Sequence, residues 1–524
     1  MARAKTEIEL KLVGAPGDID AVRASQMLDQ IATGPATWER LVSAYYDTPA
    51  HALTAMGISL RLRNDPDGAM LSVKQKDAAG GVIARLEAER LMRGERDFET
   101  GDDLLDAAIA PHRADLTVIA QTATDRWWRI VKFAGATIEI SGETGSAKRF
   151  DGSAGAVVAP IDEVELELLK GDAAGVFALA RALATEFSGR LRLSLASKLD
   201  RAMSGGLAAP LGKAPKPSVS DGALAADALS RSLFAAAARL VAVGPHFTDL
   251  RDPEAARGLR VALRRFRSLE RAFRFATKKT GLRDLSATAR NFARIAGEVR
   301  DLDVFLAETL PMIEPAFTGE PAPAQRLKAR VEELRARQWS KAATVFSGSA
   351  FTVFQLDLIE MAFFGPWRAH DERLGWPLNS FATRVLDRRH SKVMATAASI
   401  DFSRPADLHE LRLQMKKLRY AAQTFRDAYP KEVRQNYFKA MSVLQASFGE
   451  LNDAVTAQSV ADKAAQGLGP DMLRVAGFVA GFTGARAAFQ AGAIERQWAA
   501  FAVIEPYWRT KERVGAQNTD NPLP

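Results

Sequence analysis

The sequence predicts two unlike domains in tandem, an α+β domain over residues 1–203 and an all-α domain over 223–510, and three observations predict them. Short segments that alternate charged and apolar residues occupy the chain up to about residue 200. Long Ala/Leu/Arg-rich segments with helical spacing follow from Ala223, where strand signals stop. Between them, 204–222 is rich in Gly, Pro and Ser without apolar periodicity, the composition of a linker, and 511–524 reads as a polar tail.

Composition narrows the function classes. With 47% hydrophobic and 26% charged residues the 524-residue chain is globular and not disordered. It has no cysteine, which excludes disulfides, thiolate metal sites and cysteine nucleophiles, and no pair among its six histidines has zinc-like spacing. The start, Met1-Ala-Arg-Ala-Lys-Thr-Glu7, lacks the apolar core of a secretory signal. The apolar stretch 475–485, bounded by Arg474 and Arg486, falls short of the ~20 residues that cross a bilayer. A cytoplasmic location without a membrane span is therefore expected.

The net charge of +8 is unevenly shared. Residues 1–204 hold 25 basic and 30 acidic side chains, a balance of −5, which leaves +13 for the rest. A basic helical domain points to a polyanionic partner.

Strands are expected at 7–13, 41–46, 58–63, 71–76, 82–89, 136–141 and 162–168. Because side chains alternate, the first sets Glu7, Glu9 and Lys11 on one face and Ile8, Leu10 and Leu12 on the other. One such strand is ordinary for a half-solvated sheet, but the pattern recurs with Arg61 and Arg63, Lys74 and Lys76, Arg85, Glu87 and Glu89, and Glu163, Glu165 and Glu167. About eight such strands closed into a barrel, apolar face outward, would turn the charged face into a lumen. Carboxylates there supply hard oxygen ligands for Mg²⁺ or Mn²⁺, and Arg and Lys grip a multiply charged phosphate chain. Glu87 and Glu89 fit a cross-strand ion pair equally well.

Glu7-Ile-Glu-Leu-Lys11 resembles the ExExK signature of the CYTH, or triphosphate tunnel metalloenzyme, family. Tyr45-Tyr-Asp-Thr-Pro49, Gly57-Ile-Ser-Leu-Arg-Leu-Arg63, Asp162-Glu-Val-Glu-Leu-Glu-Leu168 and Ser197-Lys-Leu-Asp-Arg201 follow in the family's order, so the resemblance spans most of 3–203. It implies an eight-stranded antiparallel β-barrel tunnel flanked by helices, which binds a triphosphate with one or two divalent ions. By position, Glu7, Glu9, Glu143, Glu165 and Glu167 are the implied metal ligands. Glu163, Glu165, Glu167 and Lys11 are the implied catalytic groups, and Lys11, Arg61, Arg63, Lys74, Lys76, Arg85, Arg126 and Lys198 face the phosphates. Where the family has an Asp-x-Gly turn this chain has Glu143-Thr-Gly145, a carboxylate on a longer arm. Asp125-Arg-Trp-Trp-Arg129 matches the family's basic-aromatic strand loosely, so Arg126 or Arg129 can enter the tunnel.

The helical part repeats itself. Gly258-Leu-Arg-Val-Ala-Leu-Arg-Arg-Phe-Arg267 resembles Glu410-Leu-Arg-Leu-Gln-Met-Lys-Lys-Leu-Arg419, and Gly297-Glu-Val-Arg-Asp-Leu-Asp303 resembles Gly449-Glu-Leu-Asn-Asp-Ala-Val455, both at an offset of 152. Two related halves, about 223–370 and 371–510, are expected. Arg257, Arg260, Arg264, Arg267, Arg271 and Arg274 are spaced by three and four, as are His409, Arg412, Lys416 and Arg419, with Arg426 further on, so each half has a basic ridge almost without acids. These repeats resemble the CHAD domain, an α-helical domain associated with polyphosphate binding and found fused behind CYTH modules; in the first half Arg257 replaces the expected histidine. The resemblance implies polyphosphate binding by Arg257, Arg260, Arg264, Arg267, Arg271, His409, Arg412, Lys416 and Arg419, with His390 as a further contact.

The expectation is a Mg²⁺- or Mn²⁺-dependent inorganic triphosphatase whose helical domain holds polyphosphate. The alternatives are a non-catalytic polyphosphate-binding or granule-associated protein and a tunnel enzyme for an organic triphosphate such as thiamine triphosphate. Nucleic acid is disfavoured because the ridges lack interleaved stacking aromatics.

Overall fold

The computed structural model describes residues 5–65, 68–76, 84–92, 94, 97–150, 157–204, 211–212, 222–316, 322–369 and 371–509. Most of the expected linker and the whole polar tail lie outside them.

The N-terminal part is one antiparallel sheet of β1 (Lys5–Val13), β2 (Thr37–Asp47), β3 (Ile58–Asp65), β4 (Gly68–Lys76), β5 (Ala84–Leu91), β6 (Thr117–Phe133), β7 (Ala136–Arg149), β8 (Val157–Lys170) and β9 (Arg192–Ser194). Their order is β5-β4-β3-β2-β6-β7-β8-β1-β9. β1 also pairs with the far strand: Lys5–Ile8 runs against β5, with Glu7 opposite Arg85, whereas Glu9–Val13 runs against β8, with Lys11 opposite Glu165. The sheet has nine strands where eight were expected, the ninth being the short β9 beside the end of β1. The long β6 gives no clear strand signal in the sequence, because its run 117–133 mixes Thr, Asp, Arg and Trp without strict alternation.

Alternation sorts the faces as expected. Leu10 and Leu12 of β1 and Val164 and Leu166 of β8 are buried on the outer face, in one core with Val176, Phe177, Ala180 and Leu183 of a covering helix. Of the flanking helices α1 (Pro16–Arg23), α2 (Gln26–Ile31), α3 (Ala52–Ala55), α4 (Asp103–Ile109), α5 (Ala173–Glu186) and α6 (Lys198–Ser204), it is α5 that supplies this cover, its first turn capped by Asp172, which accepts from the Ala174 N–H at 2.8 Å. Glu143-Thr-Gly145 is no turn: it lies inside β7, paired with Thr124, Asp125 and Arg126 of β6. Its glycine is a packing requirement, since a Cβ on Gly145 would stand 2.1 Å from the Ala123 carbonyl oxygen.

The rest is helical: α7 (Ala225–Thr248), α8 (Pro253–Phe273), α9 (Leu282–Val304), α10 (Leu310–Ile313), α11 (Ala322–Ser347), α12 (Ser349–Phe364), α13 (Leu378–Ala398), α14 (Pro405–Thr424), α15 (Lys431–Ala465) and α16 (Pro470–Ala502). α8 and α14 both open on proline at the first turn, 152 positions apart, where the missing N–H costs nothing. Phenylalanines fill the interior, with Phe273 stacked on Phe381 at 4.7 Å and Phe292 edge-on to Phe351 at 5.1 Å. α12 packs on α5, where Phe177 meets Phe364 at 6.0 Å and the Arg181 guanidinium bonds Asp357 at 2.7 Å and also Glu360. Among the described residues no single helix is long and apolar enough to cross a membrane.

Candidate functional site

The charged face of the sheet lines a cavity of about 440 Å³. β1 contributes Glu7, Glu9 and Lys11, β3 Arg61 and Arg63, β4 Lys74, β5 Glu87 and Glu89, β6 Arg126, β7 Glu143, β8 Glu165 and Glu167, and α6 Lys198. For Lys76 and Arg85 only the backbone is described, and it sets them opposite each other across β4 and β5; their side chains lie outside the described residues.

Two knots of charge divide the cavity. In the first, the Lys74 ammonium stands 2.8 Å from Glu7, 3.1 Å from Glu87 and 3.8 Å from Glu9. Burial, helped by the charges of Glu9 and Glu87, pushes the Glu7 carboxyl up to about 8 even with Lys74 beside it. In the second, Glu165 lies 2.8 Å from Lys11 and 2.9 Å from Lys198, and Lys198 also holds Glu143 at 2.9 Å. Burial opposes the charge of Glu165, but the two ammonium groups outweigh it and hold its carboxyl well below the usual range. Glu167 has no such close cation among the described residues: burial and the nearby Glu139 raise it to about 7. Opposite them Thr124 donates its hydroxyl to Glu143 at 2.8 Å.

One position differs from its expected role. Glu163 shares a strand face with Glu165 and Glu167 but does not line the cavity. Its side chain is 0% exposed and lies behind the wall, 2.7 Å from Lys198, 3.3 Å from Lys11 and against Arg201. It can place the two lysines and cannot touch a ligand. Arg126 lines the cavity and pairs with Glu39 and, at 2.6 Å, Glu139, whereas Arg129 faces the other way and bonds Asp29 at 2.7 Å. Sequence reasoning missed Glu39 and Glu139. Glu39 begins the inward series Glu39, Leu41, Ser43 and Tyr45 of β2, so a strand start two residues earlier would have found it.

Among the described residues no group of three or more His, Asp or Glu side chains is already set to hold a metal ion. The reason is visible in the two knots, where lysine ammonium groups stand between the carboxylates. The donors themselves are all carboxylate oxygens, which suits a hard divalent cation.

In the helical part the two ridges meet where α8 packs on α14. The guanidinium groups of Arg264 and Arg419 sit 5.2 and 5.8 Å from the Tyr420 ring. Partners on the following helices hold the ridge ends: Arg260 bonds Asp301 at 2.8 Å, Arg419 bonds Gln445 at 2.6 Å and Arg412 bonds Asn452. Burial, added to by Arg412, Arg264 and Arg260, lowers the Lys416 ammonium to about 8. Arg267 and Arg271 continue the ridge on α8. Arg257 is at its exposed start, paired with Glu254 at 3.2 Å, and His409 is exposed in the first turns of α14. His390 is not on the ridge surface: it is buried with its ring 5.8 Å from Trp508 and 6.4 Å from Tyr437.

These features define a two-domain protein in which an α+β domain with a charge-lined cavity precedes an all-α domain whose basic ridges meet where α8 packs on α14. The CYTH domain model matches residues 5–203 and the CHAD domain model residues 234–462, so the chain carries a CYTH domain followed by a CHAD domain. Among solved structures it is similar to the CHAD domain from the plant Ricinus communis, with 22% identity over 56% of this chain and 98% of that one and a TM-score of 0.49. It is also similar to PptA from Streptomyces chartreusis, with 16% identity, 53% and 100% coverage and a TM-score of 0.43. A third is HpAC1 from Hippeastrum, described as having a dominant triphosphatase activity, with 16% identity, 38% and 97% coverage and a TM-score of 0.27. The family matches, and not these partial likenesses, carry the assignment.

Proposed function

We propose that the N-terminal domain hydrolyses inorganic triphosphate to diphosphate and phosphate with Mg²⁺ or Mn²⁺, and that the helical domain, in two related halves, binds inorganic polyphosphate. The pairing of β1 with both β8 and β5 supports a closed tunnel of eight strands around the cavity, with β9 as an outlier. The observation that carries the reading is that carboxyl groups and cations share the cavity wall, nine and six of them among the described residues. A divalent cation bound by Glu7, Glu9, Glu143, Glu165 or Glu167 would add positive charge beside a polyanion and polarise phosphoryl oxygens.

The chain's own groups then divide the work. Lys11, Arg61, Arg63, Lys74, Arg126 and Lys198 bind non-bridging oxygens and line the phosphates up. Glu165, kept ionised by Lys11 and Lys198, is a poor proton acceptor, whereas Glu167, at about 7, accepts the proton of the attacking water. The water oxygen bonds the terminal phosphorus, the bridging bond breaks, and its electron pair leaves with diphosphate.

Phosphate release from triphosphate, measured with Mg²⁺, Mn²⁺ or EDTA, tests this. Turnover with either metal and none in EDTA is expected; triphosphate binding without turnover under all conditions overturns the enzyme in favour of a polyphosphate-binding protein. Thiamine triphosphate as a competing substrate separates an organic specificity.

A further inference from the structure

The end of β1 that carries Lys11 has a neighbour of its own. On one edge Glu9–Val13 runs against β8, while on the other the pairing with β5 takes up Lys5–Ile8. β9 takes the rest of that second edge, with Ser194 opposite Lys11 and Arg192 opposite Val13. After Leu195, Ala196 and Ser197 the chain starts α6 at Lys198. Ser197 and Asp200 fix that start: the Ser197 N–H and hydroxyl donate to the Asp200 carboxylate at 2.9 and 2.8 Å, and the Asp200 N–H donates back to Ser197 Oγ at 3.0 Å. β9 therefore sets both ammonium groups that meet at Glu165, Lys11 at 2.8 Å and Lys198 at 2.9 Å.

A strand of three residues on one ladder does not hold itself. Among the described residues β9 has no second strand beside it, and it packs instead against α7 and α12 of the helical domain. Two helix ends receive this segment. α12 has no side-chain cap of its own, and its Ser349 N–H donates to the Ser188 hydroxyl at 3.0 Å. Where α7 stops at Thr248, the Arg192 guanidinium donates to the Asp249 carboxylate at 2.8 and 3.0 Å, and a cation at that end also suits the helix dipole. Beside these contacts Leu191 and Leu193 are buried in the core that holds Phe247 of α7 and Phe354 of α12.

We infer that the helical domain is the clamp that holds β9, and that Ser188, Arg192 and Asp249 are positioning residues for Lys11 and Lys198 of the cavity. Held against Glu165, the two ammonium groups stand ready to take non-bridging oxygens, so the helical domain lowers KM for triphosphate without touching it. This rests on the proposed hydrolysis of triphosphate.

The test uses the full chain. S188A/R192D removes the hydroxyl and sets a carboxylate against Asp249, whereas S188T/R192K keeps both contacts; neither residue lines the cavity. In S188A/R192D, amide hydrogen exchange over residues 192–201 speeds up by about tenfold while β6 and β7 stay protected. KM for triphosphate rises at least about threefold, with kcat within about twofold of wild type. S188T/R192K matches wild type in both readouts. Where circular dichroism shows S188A/R192D unfolded, R192A takes its place with the same directions expected. Unchanged exchange overturns the clamp. Faster exchange with an unchanged KM, a fall in kcat alone, or the same change in S188T/R192K overturns the positioning role while wild-type turnover leaves the hydrolysis reading standing. A wild type that neither binds nor hydrolyses triphosphate ends that reading, and exchange over 192–201 then decides the clamp by itself.

Discussion

Replacing Glu163 by glutamine separates a carboxylate that builds the site from those that work in it. Its side chain is 0% exposed and its charge is shared by Lys198 at 2.7 Å, Lys11 at 3.3 Å and Arg201. Glutamine keeps the shape and removes the charge, which leaves three cations short of a partner in a buried place. Breaking a buried pair by removing one member costs about 3–5 kcal/mol. Lys11 and Lys198 keep Glu165, and Lys198 keeps Glu143, so the lower end, about 3 kcal/mol, applies. Urea unfolding followed by tryptophan fluorescence measures it, and hydrolysis falls alongside because the two lysines lose their placement. Glu167→Gln gives the opposite split: its carboxyl is raised to about 7 by burial, so neutralising it leaves stability intact while hydrolysis is lost. A loss below about 1 kcal/mol in E163Q, the scale of a surface pair, would refute the assignment.

Binding of Mg²⁺ should expel protons, because Glu7 at about 8 and Glu167 at about 7 hold theirs near neutrality; calorimetry in buffers of different ionisation enthalpy should show release that shrinks as pH rises above about 9. Glu7 is raised from 4.5 to about 8 on folding, so the folded state holds the extra proton, and the metal-free protein should lose stability as pH climbs through that window. On α14, Lys416 at about 8 must be charged to bind an anion, so polyphosphate affinity should fall between about pH 7 and 9 in the wild type, and K416R should flatten that fall. Gly145→Ala would press a Cβ to 2.1 Å from the Ala123 carbonyl oxygen, which backbone cannot yield cheaply, so a loss of about 3 kcal/mol is expected in urea titration, and a wild-type midpoint would count against the close β6–β7 approach.

Most of the cavity wall was legible because it is written in period two. Glu7, Glu9 and Lys11, or Arg61 and Arg63, must share a face of any strand, and apolar neighbours such as Leu10 and Leu12 say which face is covered. Depth along the strand was not legible. Glu163, Glu165 and Glu167 are equivalent in pattern, yet α6 brings Lys198 and Arg201 over the first of them and leaves the last to desolvation and a like-charged neighbour. The same blindness affected His390, which follows two arginines in sequence but turns inward against Trp508, a residue 118 positions away. Long-range contacts decide burial, and local spacing does not contain them. In the helices the ridge was clear from three-and-four spacing, but the partners that hold it, Asp301, Gln445 and Asn452, come from other helices and were missed.

A linker separates the two domains in sequence, and packing joins them in space. α5 buries Val176, Phe177 and Leu183 in a core that continues from the outer face of the sheet into the helical domain. At its contact with α12 Arg181 bonds Asp357 at 2.7 Å and Glu360, and elsewhere Arg192 of β9 bonds Asp249 at 2.8 Å. These pairs alone are worth little, since partly exposed ion pairs contribute about 0–1 kcal/mol each. The shared apolar core contributes more, because every side chain fully withdrawn from water adds about 1.5–3 kcal/mol. β1 and β8, which carry Lys11 and Glu165, therefore rest through α5 on α12, so the cavity wall and the helical domain are tied by one layer of packing.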